Sequence, residues 1–111
     1  MYLIMETSGK NLIVKLKGEL DHHTSEATRR KIDSSFIDKN LLNIILDLRE
    51  LTFMDSSGIG LIMGRYKKVK DRQGNLIIVS DNRYVDRILN MSGLLKIIDK
   101  YKTIDKAISK L

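Results

Sequence analysis

An almost unbroken apolar run, Leu41–Leu48 (LLNIILDL), is the feature that most limits how this chain can fold. Only Asn43 and Asp47 interrupt it. A strand with apolar residues on both sides is typical of the centre of a sheet that is covered on both faces. The run is also far shorter than the roughly 20 apolar residues that a membrane span requires. The sequence therefore predicts a covered sheet with this strand near its middle and no membrane span.

The segments before this run read as two further strands. Asn11–Gly18 alternates, with Lys15 and Lys17 on one side and apolar residues on the other. Such alternation predicts a strand with one wet face, at or near a sheet edge. Tyr2–Glu6 is predicted to pair with it as a hairpin across Thr7–Lys10.

A polar segment that follows the second strand predicts a helix. Asp21 or Thr24 can cap this helix, and Glu26 lies in its first turn. Its apolar stripe is thin and consists of residues spaced by four: Thr28, Ile32 and Phe36. We therefore expect a helix that lies on the sheet with much of its surface in water.

Strand and helix patterns continue to alternate in the second half of the chain. The predicted elements are a helix ending near Arg72, a strand at Asn75–Ser80, a helix from about Arg83 to Gly93, a strand at Lys96–Ile98 and a helix capped by Thr103. This alternation predicts an α/β domain whose sheet is partly parallel. No linker-like segment divides the chain, so we expect one domain over residues 1–111.

The absence of cysteine excludes disulfides, thiolate metal sites and cysteine nucleophiles. It also fits a reducing compartment. Met1–Lys10 lacks the basic start and long apolar centre of a signal peptide. We therefore expect a cytoplasmic protein.

The net charge of +6 makes nucleic acid a candidate partner. The dense basic segment is Arg65–Lys70, so the candidate contacts would be Arg65, Lys67, Lys68 and Lys70. The other lysines are scattered, and few aromatic residues are present to stack on bases. The sequence therefore favours a lysine-rich surface without direct nucleic-acid binding.

The stretch Met54–Gly60 (MDSSGIG) at the start of the next helix leaves four interpretations open. Asp55 and Ser56 can be helix caps. A serine nucleophile would need a base, and His22 and His23 are the only histidines. A phosphate-binding loop is disfavoured, because the spacing of neither common glycine motif is present. Finally, a serine here can be a substrate for phosphorylation, since a helix N-terminus accepts negative charge.

A helical wheel of residues 57–70 separates two faces. The face predicted to pack on the sheet contains Ile59, Ile62, Met63, Tyr66 and Val69. The opposite face contains Ser57, Gly60, Gly64 and Lys68, flanked by Leu61 and Lys67. Each interior glycine costs about 1 kcal/mol relative to alanine. This stripe is thus either a tolerated cost or a surface that lets another protein approach the backbone closely.

Several motifs together resemble the STAS domains of anti-anti-sigma factors, and most closely the sporulation members of that family. The motifs are GELDHHT (Gly18–Thr24), LTFMDSSGIG (Leu51–Gly60), GRYKKVK (Gly64–Lys70) and MSGLLKII (Met91–Ile98). The resemblance implies the STAS fold over residues 1–111: an α/β domain with a mixed sheet of four to five strands and helices mainly on one face.

The resemblance also implies a regulatory mechanism. The unmodified protein would bind an anti-sigma factor that is also a serine kinase, with bound ATP or ADP, and so free sigma factor F. Phosphorylation of Ser56 would release it, and a serine phosphatase would restore it. The partner-binding residues would be Asp21, Asp55, Ser57, Gly58, Gly60, Leu61, Gly64 and Lys68. No catalytic residue, metal or cofactor is implied, and a STAS regulator of a stress-response or other partner-switching pathway stays open as the alternative.

Overall fold

The chain folds around a five-stranded sheet with the strands in sequence order. The computed structural model describes all residues, 1–111. Its strands are β1 (Tyr2–Ser8), β2 (Asn11–Leu20), β3 (Asn43–Met54), β4 (Leu76–Val79) and β5 (Asp99–Tyr101). Its helices are α1 (Ser25–Asp38), α2 (Ser56–Asp71), α3 (Arg83–Ser92) and α4 (Ile104–Ser109), with a 3-10 turn at Leu94–Lys96.

The sheet is mixed, as the family resemblance implied. β1 and β2 form an antiparallel hairpin in which Ser8 pairs with Asn11. Gly9 lies in its turn at φ +60°, a left-handed conformation that glycine adopts readily. The pairs β2–β3, β3–β4 and β4–β5 are all parallel. The predicted N-terminal hairpin is therefore confirmed, but its turn is Gly9–Lys10 rather than Thr7–Lys10, because Thr7 and Ser8 still pair with Leu12 and Asn11.

The helices lie mainly on one face, which confirms that expectation too. The main core packs α1, α2 and α3 on the sheet through pairs of buried side chains: Ile32 and Phe36, Ile62 and Val69, and Val85 and Leu89. On the other face, α4 contributes Ala107 to a smaller cluster of sheet residues: Ile13, Ile45, Ile77 and Val79. None of the helices has the length and apolar character that crossing a bilayer requires.

Three predicted strands differ from the structure. β2 has a wet face only beyond Ile13, because the layer that contains α4 covers that residue. β3 begins at Asn43 rather than Leu41 and continues to Met54, because β2 is long enough to pair with it throughout. The last strand is Asp99–Tyr101 rather than Lys96–Ile98. Ile98 lies between a 3-10 turn and β5, and its side chain is buried in the core. Its apolar character therefore reflects core packing and not strand pairing.

Candidate functional site

Three loops meet at one edge of the sheet, beyond the C-terminal ends of β2, β3 and β4. Asp55 N donates to Leu20 O at 3.4 Å, which joins the loop before α2 to the loop before α1. Asn82, at the start of α3, donates through Nδ2 to Leu51 O at 2.8 Å. In open α/β sheets this edge is where ligands bind. The fold therefore brings Asp21 and Ser56, which are far apart in sequence, to the same edge.

Asp55 is the cap of α2. Its backbone is extended (φ −117°, ψ −166°), and its Oδ1 accepts a hydrogen bond from Ser57 N at 2.8 Å. Its backbone oxygen accepts from Gly58 N at 3.0 Å. The capping interpretation is therefore right for Asp55 and wrong for Ser56.

Ser56 is the first residue of α2, and its side chain is exposed. The structure contains no hydrogen bond from its hydroxyl to another group of the chain, and none links it to His22 or His23. No acidic residue lies in the first turn of α2, so the N-terminal end of this helix keeps its preference for negative charge. The adjacent carboxylate of Asp55 opposes that preference. The site thus presents an exposed hydroxyl that no hydrogen bond joins to either histidine.

Asp21 is held in a tight turn before α1. Its Oδ1 accepts hydrogen bonds from His23 N at 2.8 Å and from Thr24 N at 3.0 Å. Thr24 donates through Oγ1 to Glu19 O at 2.8 Å and makes no side-chain cap on α1. Partial desolvation raises the pKa of Asp21, but the bonds from Thr24 and His23 outweigh it and leave the pKa below its ordinary value. This carboxylate is therefore charged and fixed in orientation at neutral pH.

The glycines of α2 fall into two kinds. A Cβ on Gly60 or Gly64 would meet nothing within 4 Å. A Cβ on Gly58 would lie 2.5 Å from Met54 Cγ and 3.1 Å from Leu20 Cδ2. Gly58 is therefore a buried packing glycine beneath the loop, and its role as a partner-binding residue stays a prediction.

Leu61 also differs from its expected position, since it is only 4% exposed. It belongs to the main core, so little of its side chain is left on the solvent-exposed face that it was expected to flank. Of the predicted docking surface, Ser57, Gly64 and Lys68 are half-buried and Gly60 is exposed. These four residues form the accessible stripe of α2.

A groove of about 350 Å³ runs between α1 and α2 and opens to solvent. Leu61 is the one hydrophobic residue in its lining, which consists of Ser25, Glu26, Arg29, Ser57, Gly60, Leu61, Gly64 and Arg65. Arg29 donates to both carboxylate oxygens of Glu26 and holds the pKa of Glu26 at about 2. Because Ser57 lies at one end of the groove, the groove extends from the start of α2 beside Ser56.

Arg65 is a residue whose surroundings the sequence did not predict. It is 4% exposed, and its Nε lies 2.8 Å from Asp33 Oδ1 of α1. Burial lowers the pKa of Arg65 despite this carboxylate. Arg65 therefore cannot be the surface contact for nucleic acid that the basic segment suggested, whereas Lys67 and Lys70 are exposed.

Two residues at the start of α3, the cap Asn82 and Tyr84 in the first turn, complete the site and were also missed. Asn82 caps α3 by accepting hydrogen bonds from Tyr84 N and Val85 N. The Tyr84 hydroxyl lies 3.4 Å from Met54 N and 3.5 Å from Met54 O. An asparagine before a helical pattern is a capping signal that could have found Asn82. No sequence signal predicts the contact of Tyr84 with β3.

The comparisons with known proteins agree with this architecture. A family model described as the STAS domain matches residues 2–107. The anti-sigma F factor antagonist of Paenibacillus polymyxa is 44% identical over 100 residues, which are 90% of this chain and 86% of that protein. The anti-sigma-B factor antagonist of Listeria monocytogenes is 25% identical over 96 residues, which are 86% of this chain and 83% of that protein.

A solved structure shares the fold over nearly the whole chain. It is that of the Bacillus cell fate determinant SpoIIAA in the phosphorylated form, which is 30% identical. The TM-score is 0.77, and the match covers 98% of both chains.

Proposed function

The chain belongs to the STAS domain family and, within it, to the anti-sigma factor antagonists, and from this premise we propose that its unphosphorylated form binds an anti-sigma factor that is also a serine kinase. Binding frees the sporulation sigma factor F. The kinase, with bound ATP, phosphorylates Ser56 and so ends the complex, and a serine phosphatase restores the active form. The chain is thus a binding partner and a substrate rather than an enzyme.

The observation that carries this proposal is the free hydroxyl of Ser56. It is exposed at the first residue of α2, and the neighbouring Asp55 already supplies the cap, so the fold does not need it. A phosphate on Ser56 would meet the N-terminal end of the helix, which tolerates negative charge. A solved relative exists in a phosphorylated form, which supports the same chemistry here.

Electrostatics explains how one phosphate can end the complex without refolding the chain. A phosphoserine carries about −1.5 to −2 charges at neutral pH. Asp55 is adjacent, and the charged Asp21 lies on the neighbouring loop of the same edge. Burying the added charge in an interface beside these carboxylates costs on the order of several kcal/mol. Since each 1.4 kcal/mol is about tenfold in affinity, a tight complex becomes one that scarcely forms.

The partner's docking surface consists of the accessible stripe of α2 and the loop that contains Asp21. Gly60 and Gly64 leave the backbone of α2 open on this side. A partner can therefore approach closely enough to bring its nucleotide to Ser56. Gly58 and Leu61 are buried and support this surface from below, and Leu61 also reaches the lining of the groove between α1 and α2.

The alternative is an antagonist in a stress-response or other partner-switching pathway. The similarity to an anti-sigma-B factor antagonist is the observation in its favour. The identity is 25% there against 44% for the anti-sigma F factor antagonist of Paenibacillus polymyxa, so the sporulation pathway is preferred. Genes for a kinase anti-sigma factor and a sporulation sigma factor beside this one would support the same choice.

Intact-mass spectrometry after incubation with the anti-sigma F kinase of the same organism and ATP tests the proposal. One phosphate is expected, and peptide mapping should assign it to Ser56. The Ser56→Ala variant is the control and should stay unmodified. Mapping to Ser57 or Tyr66 would refute the assignment. Modification by a stress-response kinase alone would favour the alternative pathway.

A further inference from the structure

Asp33 of α1 and Arg65 of α2 form a buried ion pair that joins the two walls of the groove. Asp33 is 8% and Arg65 is 4% exposed, and Asp33 Oδ1 lies 2.8 Å from Arg65 Nε. The Nε–H does not point at this oxygen, so the contact is ionic rather than a linear hydrogen bond. Arg65 also approaches Leu61 O at 3.5 Å through Nη1. The pair is thus a direct electrostatic link between α1 and α2.

The pair is connected to the outer part of the groove. Arg29 donates through Nη1 to Asp33 Oδ2 at 3.4 Å and also binds Glu26 near the start of α1. Arg29, Glu26 and Arg65 all line the groove. A chain of alternating charges therefore runs along the groove from the first turn of α1 to the middle of α2.

Stability alone does not account for this arrangement. Removing two charges from water is costly, and apolar residues of similar volume often replace a buried ion pair without loss of stability. Leu61 and Ile62, one turn before Arg65 in α2, are themselves buried apolar residues of the main core. An ion pair differs from an apolar contact in one respect: it fixes which turn of one helix faces which turn of the other. That property matters most for a groove whose two walls belong to different helices.

We propose that the Asp33–Arg65 pair is a positioning element for partner docking. It holds the wall that contains Gly60 and Gly64 at a set distance and register from the wall that contains Arg29. The kinase anti-sigma factor seats on this groove before it reaches Ser56. This inference rests on the proposed function and adds a specific pair of residues to it.

Steady-state phosphorylation of an Asp33→Leu/Arg65→Met double variant tests the inference. The double change leaves no unpaired buried charge, so we expect its unfolding midpoint in urea to equal or exceed that of the unmodified chain. The KM for phosphorylation by the kinase should rise about tenfold while kcat stays within about twofold, the pattern of lost binding without lost chemistry. A role in stability alone would leave KM unchanged in the folded variant.

The pair formed by Asp86 and Lys100 provides a matched control. It joins α3 to β5 at 3.0 Å, away from the groove, so an Asp86→Asn/Lys100→Met variant should keep the KM of the protein without substitutions.

An unchanged KM in the Asp33→Leu/Arg65→Met variant would overturn the inference. If that variant does not fold, Arg65→Lys decides. Lysine keeps the positive charge but cannot place it against Asp33 as the guanidinium does. The KM should therefore rise about threefold, and an unchanged KM would again overturn the inference.

The protein without substitutions distinguishes failure of the proposed function from failure of the positioning role. If the kinase does not phosphorylate this protein, the proposed function fails. If the kinase phosphorylates both this protein and the double variant with equal KM, only the positioning role fails.

Discussion

Leu20 of β2 lies directly opposite Met54 of β3, and each is the last residue of its strand. The next residues along the chain, Asp21 and Asp55, therefore begin neighbouring loops at the same sheet edge. Gly58 packs against the side chains of both Leu20 and Met54, since a Cβ at Gly58 would lie within 3.1 Å of each of them. The spacing between the two loops is thus set by packing under the first turn of α2.

The first prediction compares two glycines of α2. Gly58→Ala forces a methyl group against Met54 and Leu20, and overpacking of this kind costs about 1–3 kcal/mol. Gly60→Ala is the matched control, because its methyl meets open space and it gains up to about 1 kcal/mol of helix propensity. Urea unfolding should therefore show the first variant less stable and the second more stable than the unmodified chain. Equal stability of the two variants would contradict the packing role of Gly58.

The second prediction concerns the hydroxyl of Ser56. The Ser56→Ala variant should have a free energy of unfolding within about 0.5 kcal/mol of the unmodified chain, because the hydroxyl makes no contact that the fold uses. It should bind the kinase anti-sigma factor with unchanged affinity and stay bound after ATP is added. Gel filtration of the mixture with and without ATP measures both properties. A folded variant that fails to bind would mean that the hydroxyl is itself a contact.

The third prediction tests the accessible stripe of α2. Gly64→Glu adds a long charged side chain where a Cβ meets nothing, so the fold should be retained. The dissociation constant of the complex should rise at least about tenfold, because close approach of the partner is blocked. Gln73→Glu adds the same charge at an exposed position beyond the end of α2 and should leave affinity unchanged. Equal affinities for the two variants would remove the stripe from the docking surface.

The fourth prediction is a pH dependence at Asp21. Its pKa in the folded chain lies below the ordinary 3.8, so its contribution to stability is complete above pH 3.8 and is lost as the pH falls through the folded pKa. Asp21→Asn should therefore have a lower free energy of unfolding at neutral pH than the protein without substitutions. The difference between the two free energies should become smaller as the pH falls below 3.8. A carboxyl-carbon NMR titration should give Asp21 a midpoint below 3.8. A midpoint at or above 3.8 would mean that the turn does not stabilise the carboxylate.

The periodicity of the sequence was enough to predict most of the elements and the order in which they occur. Thr28, Ile32 and Phe36 are buried as their spacing indicated, and Gly93 ends α3 at φ +82°. Local signals work at these positions because they depend on neighbours along the chain. Thr103 likewise caps α4 by accepting from Lys106 N.

The same local signals could not predict contacts between elements that are distant in sequence. A charged residue on a helical wheel is assigned to solvent unless its partner is known, and the partner of Arg65 is on another helix. The end of β3 was missed for a related reason. Phe53 is exposed while Met54 is buried, so this segment has the pattern of a strand only once β2 is beside it.

The far side of the sheet depends on one short helix, α4, whose Ala107 is buried against Ile13, Ile45 and Ile77. Proteolytic loss of α4 would uncover these side chains as an apolar strip on otherwise intact strands. Molecules truncated in this way should self-associate through the exposed strip before they lose their secondary structure. Preparations of this protein are therefore best judged by the integrity of the C-terminal tail, because a circular dichroism spectrum alone would not report its loss.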